Sequence, residues 1–287
     1  MVIYAGKAVG PLGRSVKNDY NRRVKGKGEA KAVERAEEAI RRALGSKWAH
    51  IPLRALAETD STNLRLKAWY RAGQIAPPYL LTADSQTAGR GRLGRRFVSP
   101  PGTGLYMSLL ASPPPDTDGG LITILAAVAV CRAVEEASGL RPKIKWVNDL
   151  FVRGKKVCGI LAEGLGGPVI IGVGVNLRTP PGGFPPEAGP AGALDADVEA
   201  PLLAGRIARY ILDGLEKPDD PAILDAYRQR MPLTGQNVRY TQNGQEKTAQ
   251  VIGVAPDGGL MIEDDTGPHT LRTGEVTLGS EAFEGLL

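Results

Sequence analysis

Apolar residues recur at helical spacing in the first well-patterned stretch. Between Ala30 and Leu44, Ala32, Val33, Ala36, Ile40, Ala43 and Leu44 fall on one face and charges on the other, which predicts an amphipathic helix closed by Gly45. His50 to Leu56 reads as a short strand. The small polar run Glu58-Thr59-Asp60-Ser61-Thr62-Asn63 then precedes Leu64, Leu66, Ala68 and Trp69, and one of its side chains is expected to cap a helix. Tyr79 to Ala83 predicts a strand, and Leu105 to Ala111, apolar on both faces, a buried one. Leu121 to Ser138 predicts a buried helix closed by Gly139. Arg153-Gly154-Lys155-Lys156 reads as a hairpin turn and Val157 to Ala162 as its returning strand. In the apolar strand Val169 to Leu177, Gly172 and Gly174 predict that something approaches the backbone closely. Helices follow at Ala200 to Glu216 and Pro221 to Gln229. From Gln236 on, short strands separated by Asn243-Gly244, Asp257-Gly258 and Thr266-Gly267 predict a small barrel of SH3-like size, with a domain boundary near residue 232.

Composition narrows the class. The chain has 287 residues, 42% hydrophobic and 23% charged, ordinary for a soluble globular protein. Two cysteines, Cys131 and Cys158, make no disulfide framework, so a reducing, cytoplasmic setting is expected. No signal peptide is visible. The apolar run Leu121 to Val134 is interrupted by Thr123 and Arg132 and falls short of the roughly 20 residues that span a bilayer, so no membrane partner is expected. Residues 1–50 hold 12 Lys/Arg against 5 Asp/Glu, and the remainder 24 against 26. The basic excess belongs to the N-terminal arm, residues 1–29, which reads as a flexible tail or a contact for an acidic partner. Its glycines and its lack of an apolar face leave no room for a recognisable helix-turn-helix, so no specific DNA binding is expected.

Gly89-Arg90-Gly91-Arg92-Leu93-Gly94-Arg95-Arg96 carries the strongest chemical signal. Glycines allow tight bends and expose backbone N–H groups; guanidinium forks match phosphate or carboxylate oxygens. The composition fits a loop wrapping a small anion as well as it fits a solvated basic loop or a nucleic-acid contact. Asn148-Asp149, at the end of Lys143 to Leu150, can bind a hard cation or simply make an Asx turn, and the turn is the commoner use of such a pair. Asp60-Ser61-Thr62-Asn63 offers more donors and acceptors than one helix cap consumes.

These stretches together resemble the signature set of biotin–protein ligases: the Gly-Arg-Gly-Arg-x-Gly-Arg loop, Lys145-Trp146-Val147-Asn148-Asp149-Leu150, Gly172-x-Gly174-x-Asn176, Asp60-Ser61-Thr62-Asn63 and Gln86. The resemblance spans roughly residues 30 to 280. It departs from the family pattern at Val147, where proline is usual, and at Cys158, where a small residue is usual. It implies an α+β fold: a mixed, mainly antiparallel sheet with packed helices, class II synthetase-like, over residues 30–231, and an SH3-like β-barrel over 232–287.

The implied activity is ATP-dependent: biotinyl-5′-AMP formed from biotin and ATP, then biotin transferred to a lysine of a biotin carboxyl carrier protein. The resemblance assigns catalysis to Lys156, Asp149 and Arg92. It assigns biotin binding to Ser61, Thr62, Asn63, Gln86, Arg90, Gly91, Arg92, Lys156 and Gly159, and ATP binding to Arg90, Arg92, Arg95, Asn148 and Asn176. Mg²⁺ would sit at Asp149 and Asn176, and no tightly bound prosthetic group is implied. Lys155 and Lys156 are told apart only by alignment to Gly159. Trp146 packs near the ligand or in the core. Gly89 to Pro100 is expected to be mobile without ligand and to order over the adenylate. A lipoate–protein ligase and a DNA-binding regulator are the competing readings. The ureido-matching Ser-Thr-Asn argues against the first, the short arm against the second. A homodimer is left open.

Overall fold

The computed structural model describes residues 27–278 except 243, 273 and 275. Most of the basic arm, Asn243 of one turn signal and the last nine residues lie outside the described set. Helix α1 (Lys27–Trp48) runs past the expected end, but Gly45, at φ 74°, breaks its helical geometry where a C-cap was expected. Strand β1 (Leu53–Thr59) leads to α2 (Thr62–Arg71), then β2 (Tyr79–Gln86), β3 (Gly104–Ala111) and α3 (Gly119–Ser138). The segment read as one run at 143–150 is two short strands, β4 (Lys143–Lys145) and β5 (Asp149–Val152), around a turn in which the Trp146–Val147 peptide is cis. Next come β6 (Lys155–Gly164), β7 (Val169–Asn176), α4 (Ala200–Gly214) and α5 (Pro221–Arg230).

These seven strands form one sheet in the order β1-β2-β3-β7-β6-β5-β4, with β1 and β2 parallel and all other neighbours antiparallel. Strand alternation then sorts the side chains. Leu105, Met107 and Leu109 of β3 and Ile171, Val173 and Val175 of β7 face the main core, together with α1, α3 and α4. Leu110 and Ile170 face the other way and join Leu66 of α2 in a small second cluster. That second face is covered by α2 at one end only. Beyond it the sheet presents Ser108, Gly172 and Gly174, and this incompletely covered floor is where the site lies.

α3 buries residues on every side, among them Ile122, Leu125, Ala126, Val130, Cys131 and Val134. Asp118 caps it by accepting the Gly120 N–H at 2.6 Å, and Gly139 (φ 72°) ends it in the left-handed conformation. Burial pushes the Cys131 thiol up to about 12 and holds Cys158 well above the ordinary thiol range, so both are inert core residues. Among the described residues no helix is long and apolar enough to cross a membrane.

Residues 237–278 form a second sheet, all antiparallel: β8 (Asn237–Gln242), β9 (Gln245–Val254), β10 (Leu260–Asp264), β11 (Gly267–Leu271) and β12 (Val276–Leu278), in the order β11-β10-β9-β8-β12. This corrects the expectation of a barrel: among the described residues β11 and β12 do not pair, so the sheet is open. Turn signals count strands and say nothing about closure. Its apolar side continues the main core through Val238, Val251, Leu260 and Ile262. The β9–β10 turn is wedged against the larger sheet's layer: Trp146 Nε1 donates to the Gly258 carbonyl at 3.0 Å, and a Cβ on Gly258 would lie 2.8 Å from Ile124 Cδ1. Arg228 Nη2 donates to the Val254 carbonyl at 2.6 Å and adds a second tie.

Candidate active site

A cavity of about 970 Å³ opens on the sparsely covered face. Its lining brings together Ser61, Thr62, Asn63, Gln86, Arg90, Gly91, Arg92, Arg95, Trp146, Asn148, Asp149, Lys156 and Gly159. Twelve of the thirteen residues assigned by resemblance therefore meet in one cavity, with Trp146 beside them, though the sequence spreads them over almost a hundred positions. Asn176 is the exception. It shares the face of Gly172 and Gly174 but lies beyond the cavity's lining, where its Nδ2 donates to the Gly192 carbonyl at 2.9 Å.

One end of the cavity is a neutral polar cluster. Ser61 occupies the N-cap position of α2, yet its side chain makes no capping bond. The cap position falls within the expected run and Asp60 Oδ1 of that run accepts the Ser61 N–H at 2.8 Å, but the Thr62 N–H is taken by Gln86 Oε1, from β2, at 2.9 Å. Ser61 keeps its hydroxyl for the cavity. Gln86 Nε2 donates to Ser99 Oγ (2.9 Å), which donates to the Phe97 carbonyl (2.9 Å). Asn63 Nδ2 donates to Glu163 Oε2 at 2.8 Å, and Lys67 pairs with the other carboxylate oxygen at 3.2 Å. Burial works to raise the Glu163 carboxyl, but the Asn63 amide and the Lys67 ammonium outweigh it and hold the group below the ordinary range, ionised at neutral pH.

The other end is charged. Lys156 Nζ pairs with Asp149 Oδ2 at 2.7 Å, Asn148 Nδ2 donates to Asp149 Oδ1 at 3.0 Å, and Arg92 Nη1 donates to Asn148 Oδ1 at 2.9 Å. Lys155 is exposed and outside the lining, so geometry separates the two lysines. Arg92 Nη2 also donates to the Gly274 carbonyl at 3.0 Å, reaching across to the small sheet.

The arginine loop is a hydrogen-bonded hairpin. Gln86 pairs with Ser99 and Arg90 with Arg96, and a 3₁₀ turn at Arg92–Gly94 closes it with Leu93 at φ 54° and Gly94 at φ 77°. Gly89 must lack a side chain, because a Cβ there would stand 2.3 Å from the Phe97 carbonyl oxygen. Phe97 lays its ring on the sheet floor, where a Cβ on Gly174 would be 2.6 Å from it. A Cβ on Gly172 would stand 2.2 Å from Asn63 Oδ1. The two strand glycines thus make room for Phe97 and Asn63. Phe97 links the ends of the cavity: its carbonyl takes the Ser99 hydroxyl, and its ring reaches the Gly159 position beside Lys156. Nothing in the sequence marked Phe97 or Glu163. Ser108, a lone hydroxyl inside an apolar strand, was a signal that went unused.

The arrangement does not fit a metal shared by Asp149 and Asn176. One Asp149 oxygen is held by Lys156, and Asn176 is turned to Gly192 outside the cavity. Among the described residues no group of three or more His, Cys, Asp or Glu is placed to hold an ion. What the cavity can do is bind an acidic small molecule at its cationic end and read a polar head at the other.

Residues 56–177 match the Biotin/lipoate A/B protein ligase family, and residues 233–279 the Biotin protein ligase C terminal domain. The chain is 32% identical over 214 residues to the bifunctional ligase/repressor BirA of Bacillus subtilis, covering 70% of this chain and 66% of that protein. It is 32% identical over 245 residues to the biotin--[acetyl-CoA-carboxylase] ligase of Mycobacterium tuberculosis, covering 82% of this chain and 87% of the relative. Among solved structures, the Aquifex aeolicus biotin protein ligase in complex with biotin and ATP superposes with a TM-score of 0.67 at 29% identity, covering 79% of this chain and 97% of that one.

Proposed function

The chain belongs to the biotin protein ligase family, and from that premise we propose that it attaches biotin to protein in two steps. The biotin carboxylate attacks the α-phosphorus of ATP; pyrophosphate leaves and biotinyl-5′-AMP remains. The amine of a lysine on a biotin carboxyl carrier protein then attacks the acyl carbon, AMP leaves, and an amide is formed. We further propose that residues 30–231 carry the catalytic unit, that the unit beyond 232 supports it, and that the protein works in the cytoplasm.

The observation that carries the reading is the joining of two unlike polar clusters in one cavity. The neutral cluster at Ser61, Thr62 and Gln86 suits a ureido ring, which offers one acceptor oxygen and two N–H donors. The cationic cluster suits the reacting groups. An anionic nucleophile approaching an anionic phosphate needs concentrated positive charge, which Lys156 supplies from the sheet and Arg90, Arg92 and Arg95 from the hairpin that closes over the ligand. Asp149 holds the Lys156 ammonium in position and can orient the incoming lysine amine. Mg²⁺ is proposed to arrive with the ATP phosphates, which together with water commonly supply most of its ligands and leave only one or two to the protein. The arginine hairpin then shields the mixed anhydride from water.

Pyrophosphate release from ATP, measured with biotin, lipoate and octanoate in turn, tests the reading. Biotin alone is expected to support release; turnover with lipoate or octanoate in its place would reassign the substrate class. Two further results are expected. Amide exchange in Gly89–Pro100 slows when biotin and ATP are both present, and equal protection with and without them removes the lid role. Gly172→Ala forces its new methyl into Asn63, which its hydrogen bonds hold in place. Overpacking of this kind costs about 1–3 kcal/mol, read by thermal melting, and biotin affinity by calorimetry should fall at least about tenfold.

A further inference from the structure

Ser108 is fully buried in an otherwise apolar part of β3. Its oxygen lies 2.7 Å from Thr62 Oγ1 and 2.5 Å from Asn63 Oδ1, and it has one proton for the two contacts. The far side of Asn63 decides where that proton goes. Asn63 Nδ2 faces Glu163 Oε2 at 2.8 Å and the Leu161 carbonyl at 3.4 Å. An ionised carboxylate only accepts, so Glu163 keeps the amide nitrogen on its own side and turns the amide oxygen to Ser108. An amide oxygen cannot donate. Ser108 therefore gives its proton to Asn63, and the short contact between the two hydroxyls takes the Thr62 proton. Gln86 Oε1, the other acceptor open to that proton, is farther away at 3.2 Å and already accepts the Thr62 N–H. With its proton given to Ser108, Thr62 meets a ligand with lone pairs alone.

We propose that Glu163, acting through Asn63 and Ser108, fixes the hydrogen-bond polarity of Thr62, so that the pocket accepts a ring N–H at this point and rejects an acceptor atom there. Glu163 and Ser108 do not line the cavity, so both are positioning residues that set specificity from behind it. Lys67 keeps Glu163 charged, and Gly172 leaves the space in which the Asn63 amide lies. The proposal rests on the reading that this cavity binds biotin, and it names what makes the ureido ring recognisable there. With glutamine at position 163, whose amide can donate as well as accept, only the longer 3.4 Å contact to the Leu161 carbonyl still opposes a turn of Asn63. Ser108 then accepts from Asn63, and Thr62 is released to donate.

The test compares biotin with its two cyclic-carbamate analogues, in each of which one ring N–H is replaced by oxygen. The swap exchanges a donor for an acceptor at almost constant shape. Dissociation constants are measured by calorimetry for the wild-type chain, for Glu163→Gln and for Ser108→Ala, with thermal melting of each as the folding check. In the wild type at least one carbamate should bind about a hundredfold more weakly than biotin, because a buried acceptor is left facing lone pairs. In both variants that ratio should shrink below about tenfold. A merely structural role for Glu163 would weaken all ligands in proportion and leave the ratio unchanged. Ser108→Ala removes only a buried hydroxyl and keeps the test alive if Glu163→Gln does not fold. A ratio preserved in the folded variants, or wild-type chain that binds both carbamates as tightly as biotin, overturns the proposal. Folded wild-type chain that binds no biotin overturns the functional reading, and this proposal with it.

Discussion

Replacing Lys156 with alanine is expected to slow adenylate formation about a thousandfold while moving the KM for ATP by less than about threefold. The ammonium lies 2.7 Å from Asp149 and opens onto the cavity, where the two anionic reactants must meet. A unit charge about 4 Å from a developing negative charge is worth about 4 kcal/mol at the effective dielectric of a partly buried site, which corresponds to about a thousandfold in rate. That interaction strengthens as the carboxylate closes on phosphorus, so its loss falls on kcat rather than on ground-state binding. Lys155→Ala is the control, since that side chain is exposed and outside the cavity. Single-turnover quenched flow measures both. A Lys156→Ala variant that forms adenylate at the wild-type rate removes Lys156 from the chemistry.

Arg92→Ala should act on a different step. Its guanidinium makes two hydrogen bonds, to Asn148 Oδ1 and to the Gly274 carbonyl, which tie the hairpin to the floor of the site and to the small sheet. Bonds to a charged group are worth about 1.5–3 kcal/mol each, so losing the pair should let the adenylate escape or hydrolyse about a hundredfold faster. The half-life of purified enzyme–adenylate complex, followed by chromatography of released AMP and biotin, reads this directly. An unchanged half-life would mean that the hairpin does not retain the intermediate.

Local features were legible in the chain; pairings across long separations were not. The helices at 119–138, 200–214 and 221–230 follow from apolar spacing and from stops such as Gly139, all set within a few turns of chain. Gly172 and Gly174 announced a close approach, and the approach is there. What approaches them, Asn63 and Phe97, depends on β3 lying beside β7 and β7 beside β6, an order no local pattern encodes. Glu163, just past the strand read at Val157 to Ala162, carried no local signal because its partner Asn63 is a hundred residues away. Asn176 shows the converse. Strand alternation fixes only its face; its side chain turns to the Gly192 carbonyl and does not line the cavity. The N-cap of α2 falls on Ser61, within the expected polar run, but the acceptor for the Thr62 N–H comes from Gln86 on another strand rather than from a neighbour in sequence.

The wedged β9–β10 turn, with Gly258 buried, bears on where the chain tolerates interruption. Hairpin tips are usually the places where a tag or foreign loop can be spliced in without harm. Here two tips of the same sheet differ. Gly244, at the other tip, is exposed and a Cβ on it would meet nothing, so an insertion beside it should ride on the surface. The turn at Asp257-Gly258 is a wedge: Gly258 takes the Trp146 indole N–H, and a Cβ on Gly120 would lie 2.8 Å from the Asp257 carbonyl oxygen. An insertion there would lever the small sheet off α3 and pull on Trp146, two residues from Asn148, so a reporter placed at that tip disturbs the site it was meant to watch.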